Sequence, residues 1–411
     1  MMRQIRTLAE KHNPVGIACL GVLCLFGGAQ VLQIVAVRRA IFPVDTSLLG
    51  LDYQRFYLVS KAILGGQSPY SNPEFMPPPI SAILNIPLVL LLDFRTARLV
   101  VIALIPLAVM AGAYLSCRAV LPDRQEANSI FVYTAVMALF GFPLYLLMDR
   151  GHIDGFVFLL TAGALVFLHP RPTVSSILLS LAISLKVYPI LLIIPLAIYR
   201  RWQVVMRTCL FCGLLLLVAP GFWWQFLTER ILVRAGLFTP ISNASLGNAF
   251  YYVGRLASLV LLGGKNGHVA ESFLAVSFYG YLALLGANIL SDLESSSSAG
   301  PDKSLVKSIL YVPFMLAVPK LAYDYQLVMI LALAPAAHWM WKHELKEHAM
   351  KGVVVMGMAT GFALTQFQVL LYQEMFHSAA PHFLPSFGLL LIILSSTVYK
   401  MIDMRMPRTG S

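Results

Sequence analysis

The chain has 411 residues, 58% of them hydrophobic and only 12% charged, with a mean hydropathy of +0.76, whereas soluble globular proteins carry roughly 25% charged residues. Such a chain has too little polar surface to be soluble. The net charge of +11 does not signal nucleic acid, because the basic residues are scattered over helix ends instead of gathering in an aromatic-rich patch; membrane topology and lipid phosphate account for them better.

Apolar runs recur along the whole length, which predicts a single all-α, polytopic membrane domain of about twelve transmembrane helices. The first run, 14–37, follows Arg3, Arg6 and Lys11; it is too long for the h-region of a signal peptide and reads as an uncleaved anchor. With the N-terminus cytoplasmic, 38–79 becomes an outside loop too polar to be buried, and the apolar piece 80–92, interrupted by Pro87, is too short to span. Further spans are expected near 94–116, 129–148, 153–168, 173–185, 187–199 and 204–222, followed by a second long polar loop over 223–269. The remaining spans fall near 270–290, 304–318, 325–341, 352–372 and 384–399. No strong internal repeat is evident, and Ser295 to Ser298 open a stretch that reads as a flexible cytoplasmic linker.

Basic residues test the orientation. Arg200, Arg201, Arg207, Lys342, Lys346, Lys351, Lys400, Arg405 and Arg408 fall in loops assigned to the cytoplasm, as the positive-inside rule requires. Arg38, Arg39, Arg230, Arg234, Arg255 and Lys265 fall outside, which points either to a phosphate-related task or to a reversed orientation; the first is favoured. The five cysteines, Cys19, Cys24, Cys117, Cys209 and Cys212, imply no disulfide framework, and the Cys209/Cys212 pair, one helical turn apart in an apolar run, reads as packing before it reads as metal binding. The sequon at Asn243 and Ser245 is common by chance and carries no weight.

Four polar segments at the outside ends of helices draw attention. In the first, Asp52, Tyr53, Arg55 and Tyr57 precede Lys61, the turn ending at Tyr70 and the prolines Pro77 to Pro79. If a helix begins here, Asp52 meets the positive end of its dipole, equally as a cap or as a catalyst, and Tyr53 and Tyr57 share a face. The second packs Asp149, Arg150, His152 and Asp154 between two apolar runs, a density that is costly at a membrane boundary unless the groups have partners or a ligand; a salt-bridged loop is the plain alternative. The third breaks an apolar stretch with Lys186, Tyr188 and Pro189; Lys186 either snorkels to the interface or holds an anionic phosphate. The fourth, Lys320, Tyr323 and Asp324, reads equally as an interfacial aromatic anchor and as a substrate contact.

Through these residues the sequence resembles the membrane glycosyltransferases of the C-type fold, family 87 in particular, whose members transfer mannose or arabinose from polyprenyl-phosphate donors in bacteria. The resemblance rests on an ordered set: Asp52-Tyr53, Gly66 to Tyr70, Met76-Pro77-Pro78, Gly151-His152 where the family usually has Gly-Gln, Lys186 to Pro189, and Arg200-Arg201-Trp202. It covers roughly 14–340, leaving 341–411 as additional C-terminal helices. The Asp149 to His152 string is also similar to eukaryotic relatives that build N-glycan precursors or GPI anchors. The chain departs from the family near its end, where Val318-Pro319 and Tyr323-Asp324-Tyr325 stand in place of a Ser-Pro followed by histidines.

The resemblance implies an extracytoplasmic site in a bacterial cytoplasmic membrane, with interfacial helices in the first loop and a sugar moved with inversion from a polyprenyl-phosphate donor to a lipid or glycan acceptor. Asp52 would be the general base; Arg150 and Lys186, with Arg55 and Lys320 behind them, would offset the donor phosphate; and Tyr53, Tyr57, Tyr70, Asp149, His152, Asp154, Tyr188, Tyr323 and Asp324 would contact substrate. No Asp-x-Asp follows Asp52, so neither a metal nor another cofactor is expected. The rival reading is a multi-pass transporter or lipid flippase, which should show repeated halves and ionisable groups near the bilayer centre; a noncatalytic assembly subunit fits the density of outside polar motifs less well.

Overall fold

The computed structural model describes residues 50–232, 246–262, 268–296, 300–317, 324–343, 349–366 and 383–405, and among the described residues every regular element is helical. The predicted first span therefore lies outside the described residues, as do Arg38, Arg39, Arg234, Lys265 and the sequon. The loop expected over 38–79 instead holds helix α1 (Leu51–Leu64) and a 3₁₀ turn at Pro69–Ser71. It is not too polar to be buried: Tyr53, Phe56, Val59 and Ser60 form an inward stripe at helical spacing. Two short helices, α2 (Pro79–Ile83) and α3 (Ile86–Leu91), follow and lie against α1.

The first long helix, α4 (Phe94–Val120), is capped by Asp93, whose carboxylate accepts from the Thr96 amide at 3.0 Å. After it come α5 (Arg124–Phe140), α6 (Phe142–Arg150), α7 (Asp154–Val166) and α8 (Pro172–Leu185). A 3₁₀ stretch, Tyr188–Leu192, leads into α9 (Ile193–Ile198) and then α10 (Trp202–Val218). Helix α7 beds into α4 because Gly112 leaves room for the Phe158 ring: a Cβ there would come within 2.9 Å of it.

Beyond α10, α11 (Pro220–Gln225) continues as a π-helix over Phe226–Leu232. The region expected as one polar loop over 223–269 also contains α12 (Leu246–Leu262), which packs on α13 (His268–Ser295). That helix runs on to Ser295, through the first residue of the expected linker. The C-terminal part comprises α14 (Pro301–Ile309), α15 (Val312–Ala317), a 3₁₀ stretch at Asp324–Ala332, α16 (Leu333–His343), α17 (Ala349–Gln366) and α18 (Phe383–Arg405).

Among the described residues three stretches are long and apolar enough to cross a membrane, Phe94–Val120, Val276–Ser295 and Ser386–Asp403, and the bent pair Trp202–Val218 with Pro220–Ile231 makes a fourth if counted as one span. Other predicted spans are shorter or broken. The run 129–148 divides at Gly141 ahead of Pro143, 187–199 is half 3₁₀ around Pro189, and 304–318 divides ahead of Pro313. Proline removes a backbone donor and unseats the preceding turn, and a hydropathy pattern cannot register that.

Helix α8 sorts the polar contacts to two ends. Its 14 residues span about 21 Å at 1.5 Å per residue. Lys186 follows its C-terminus and meets His152. Near its N-terminus Thr173 accepts from Arg207 at 2.7 Å, and the Ser176 hydroxyl reaches the Val204 carbonyl at 3.1 Å. Elsewhere Glu126 takes Lys342 and His338, both at 2.8 Å. Lys186 and His152 fall in connections assigned to one side and Glu126 and Lys342 in connections assigned to the other, while Thr173, Ser176, Val204 and His338 fall within expected spans.

Sequence reading overlooked a buried ion network joining α13, α14 and α18. Lys400 Nζ lies 2.6 Å from Asp292 Oδ2, which also accepts from Tyr311 at 2.9 Å; Lys307 reaches Asp403 at 2.7 Å and Ser295 at 2.7 Å; Lys303 reaches Asp403 at 2.6 Å. Lys307, Lys400 and Asp292 have no solvent exposure. Removing one member of a buried pair strands the other charge, at a cost of about 3–5 kcal/mol. Lys400→Met is therefore expected to lower the thermal midpoint in detergent markedly, and the double variant Lys400→Met/Asp292→Asn to recover part of the loss; an unchanged midpoint in the single variant would contradict this.

Candidate active site

The turn between α6 and α7 is the hub. Helix α6 ends at Gly151, which adopts the left-handed conformation (φ 63°, ψ 41°) while the His152 amide bonds back to the Leu147 carbonyl at 3.0 Å, a helix stop in which a side chain would be strained. Gly151 also admits α1: a Cβ would come within 2.9 Å of Tyr53 Cβ and 3.2 Å of Gly50 Cα. The Gly50 amide, itself left-handed at φ 75°, donates to the Asp149 carbonyl at 2.7 Å. The first and second polar segments are thus in backbone contact.

Gly50 is the N-cap of α1, so Asp52 is not its cap. It sits in the first turn, where the positive end of the helix dipole favours a carboxylate. Its side chain is 14% exposed, and Arg55 lies 3.2 Å away, with the guanidinium also 2.9 Å from Glu74. Tyr53 and Tyr57 do share a face, with ring centroids 6.4 Å apart. Tyr53 is buried and donates to Asn85 at 3.2 Å, while Tyr57 donates to the Leu92 carbonyl at 3.1 Å. Burial pushes the Tyr53 phenol up to about 12, which keeps it a donor. Tyr70 is likewise buried and donates to the Pro77 carbonyl at 3.1 Å; burial pushes its phenol up as well.

At the start of α7, Asp154 is fully buried. Its Oδ2 lies 2.7 Å from His152 Nδ1, and its Oδ1 accepts from the Tyr188 hydroxyl at 2.8 Å. On the other side of the imidazole, Nε2 lies 3.4 Å from Lys186 Nζ. Lys186 terminates α8 in extended conformation, in the favourable field of that helix's negative end. The second and third polar segments are therefore interlocked: a carboxylate without water is compensated by a phenol, an imidazole and a nearby ammonium. Arg150 closes α6 beside them and is half-buried.

An aromatic series links this hub to the first loop and beyond. The His152 ring meets Phe56 edge-on at 6.2 Å, Phe56 meets Phe75 at 5.6 Å, Phe75 meets Tyr70 at 5.9 Å, and Tyr70 stacks on Phe226 at 6.1 Å. Arg230, on the π-helix, donates to the carbonyls of Tyr70 and Asn72 at 2.8 and 3.1 Å. Arg230, one of the basic residues that run against the expected charge topology, thus has a structural partner. Arg255 stands exposed on α12.

Three of the four predicted segments are thus brought together. Of the fourth, Lys320 and Tyr323 lie outside the described residues, and Asp324 opens a 3₁₀ stretch. Sequence reading missed Phe56, Phe75, Phe226 and Asn85 as supports of the site; a cue existed in the Trp223, Phe226, Arg230 spacing after Pro220, which lines one face of a helix.

A family model described as glycosyltransferase family 87 matches residues 75–290, more than half of the 411 residues. No curated protein matches the chain. The matched stretch carries Arg150, His152, Asp154, Lys186 and Tyr188, whereas α1 with Asp52 precedes it and Lys320 to Asp324 follow it. With its apolar helices and this match, the chain belongs to glycosyltransferase family 87 and is a membrane glycosyltransferase.

Proposed function

We propose that this glycosyltransferase moves a mannose-like or arabinose-like sugar from a polyprenyl-phosphate donor to a lipid or glycan acceptor at the extracytoplasmic face of the cytoplasmic membrane. The observation that carries the reading is the contact of α1, bearing Asp52, with the His152–Lys186 pair at one end of the helices. In this reading the Asp52 carboxylate and the cations near His152 serve one reaction, which deprotonates an alcohol and expels a phosphate.

In this mechanism the acceptor hydroxyl oxygen attacks the anomeric carbon from the face opposite the phosphate. The new C–O bond forms as the bond from the anomeric carbon to the phosphate oxygen breaks, and the configuration inverts. Asp52 takes the hydroxyl proton, and its negative charge also favours the oxocarbenium-like transition state. The polyprenyl phosphate departs with the bonding electron pair, its charge offset by Lys186 and Arg150. Asp154 and Tyr188 hold the imidazole and the lysine in place; Arg55, shared between Asp52 and Glu74, positions the base; Tyr53, Tyr57 and Tyr70 support α1 and its hairpin. No further inner nucleophile is required, and no metal enters the scheme.

Asp52→Asn keeps the shape and removes the base, so transfer from a polyprenyl-phosphate sugar in reconstituted membranes should fall by orders of magnitude at unchanged protein level; near-normal turnover would eliminate the role. Lys186→Met should lower kcat about a hundredfold, the scale seen when one donor to a developing anion is lost. Because Lys186 also offsets the buried Asp154, the Tyr188→Phe variant serves as a comparison: it loosens the same carboxylate without removing a cation and should cost far less activity. Equal losses in the two variants would assign Lys186 a structural task only.

A further inference from the structure

We infer that residues 220–232 form an interfacial helix lying in the plane of the lipid headgroups, which holds the candidate site at the depth of a lipid-borne phosphate. The chain turns through 104° between Trp202–Val218 and Pro220–Ile231. The turn has a local cause: Ala219 stands at φ −151°, ψ 68°, outside the helical region, as expected for a residue before proline. Trp223 secures the corner by donating its indole N–H to the Leu215 carbonyl at 3.2 Å.

Past the corner the side chains divide into two stripes. Trp223 and Phe226 are buried, and Arg230 clasps the hairpin carbonyls. Ser68 adds a hydrogen bond to Gln225 at 2.6 Å. On the opposite stripe Trp224 is 67% exposed, Leu227 43% and Ile231 37%. This apolar stripe continues the exposed face of α10, where Leu214, Leu217 and Val218 are also bare. The face of a membrane protein's apolar helix that lacks protein neighbours meets lipid, and a helix turned by about a right angle from it, with tryptophan on the outer stripe and Thr228 and Glu229 along its flank, suits the boundary between headgroups and acyl chains. The occupant of the stripe is therefore the bilayer surface.

The inner stripe connects this helix to the site through ring contacts: Trp223 to Phe226 at 5.8 Å, then Tyr70, Phe75, Phe56 and His152. The helix thereby fixes the height of His152 and Lys186 relative to the lipid surface. Its bearing on a lipid-linked donor rests on the function proposed above; its place in the interface does not.

The test uses the whole protein in nanodiscs. The fluorescence that Trp224→Phe removes belongs to Trp224, and most of it should be quenched by phospholipids brominated high on the acyl chain and little of it by acrylamide. Strong acrylamide quenching would put the stripe in water, quenching by neither would put it under protein, and strongest quenching by bromines near the chain end would make the segment a deep re-entrant piece; each result overturns the inference. Should Trp224→Phe fail to fold, a nitroxide on Leu227→Cys, read for relaxation by oxygen against an aqueous nickel chelate, decides the same question. In activity measurements, Trp224→Ser/Leu227→Ser should raise KM for a polyprenyl-phosphate sugar and leave kcat near its original value. If no such donor is turned over by any variant or by the unaltered protein, the donor reading fails while the depth measurement still stands.

Discussion

Asp154 has no contact with solvent, and the geometry of the site follows from the need to compensate it. Desolvating a carboxylate costs several kcal/mol unless charge and hydrogen bonds replace the water. Tyr188, His152 and, across the imidazole, Lys186 do so here, drawing the end of α8 and the turn after α6 to the start of α7. Once His152 is fixed, its ring gives Phe56 a surface, and α1 is brought in against Gly151 with Asp52 in its first turn.

The far end of the helices obeys the same rule by different means. Asp292, Lys307 and Lys400 lie inside α13, α14 and α18, where nothing but other side chains can satisfy them. Among the described residues these charged clusters lie at the ends of the helices, while the stretches between them are rich in leucine, isoleucine and valine, the arrangement expected where the middle of a helix faces hydrocarbon.

What could be read from sequence was local. The break at Lys186 and Pro189, the charged turn from Asp149 to Asp154 and the apolar body of α4 appear where residue types alone put them, because proline, glycine and dense charge punctuate a helix whatever surrounds it. The supports of the site were hidden for the opposite reason. Arg230 and the Tyr70 carbonyl are separated by 160 residues, and nothing in the π-helix itself says which carbonyls its guanidinium will find. Asp292 and Lys400 are separated by 108. The polar character of 38–79 was an average that concealed the inward stripe of α1, and α12 was lost in the same way inside 223–269.

The way α1 is held has an entropic consequence. Its neighbours in sequence, α2 and α3, lie against it, but it also meets the turn at Gly151, and the hairpin after it, which Phe226 and Arg230 hold at Tyr70, is joined across gaps such as the 157 residues between Ser68 and Gln225. Contacts of that span come with loop-closure entropy that local helix pairs such as α4 with α7 largely avoid. The cluster of Asp154, His152 and Lys186 thus joins elements at most 34 residues apart, whereas the hairpin that follows α1 is secured by contacts more than 150 residues away.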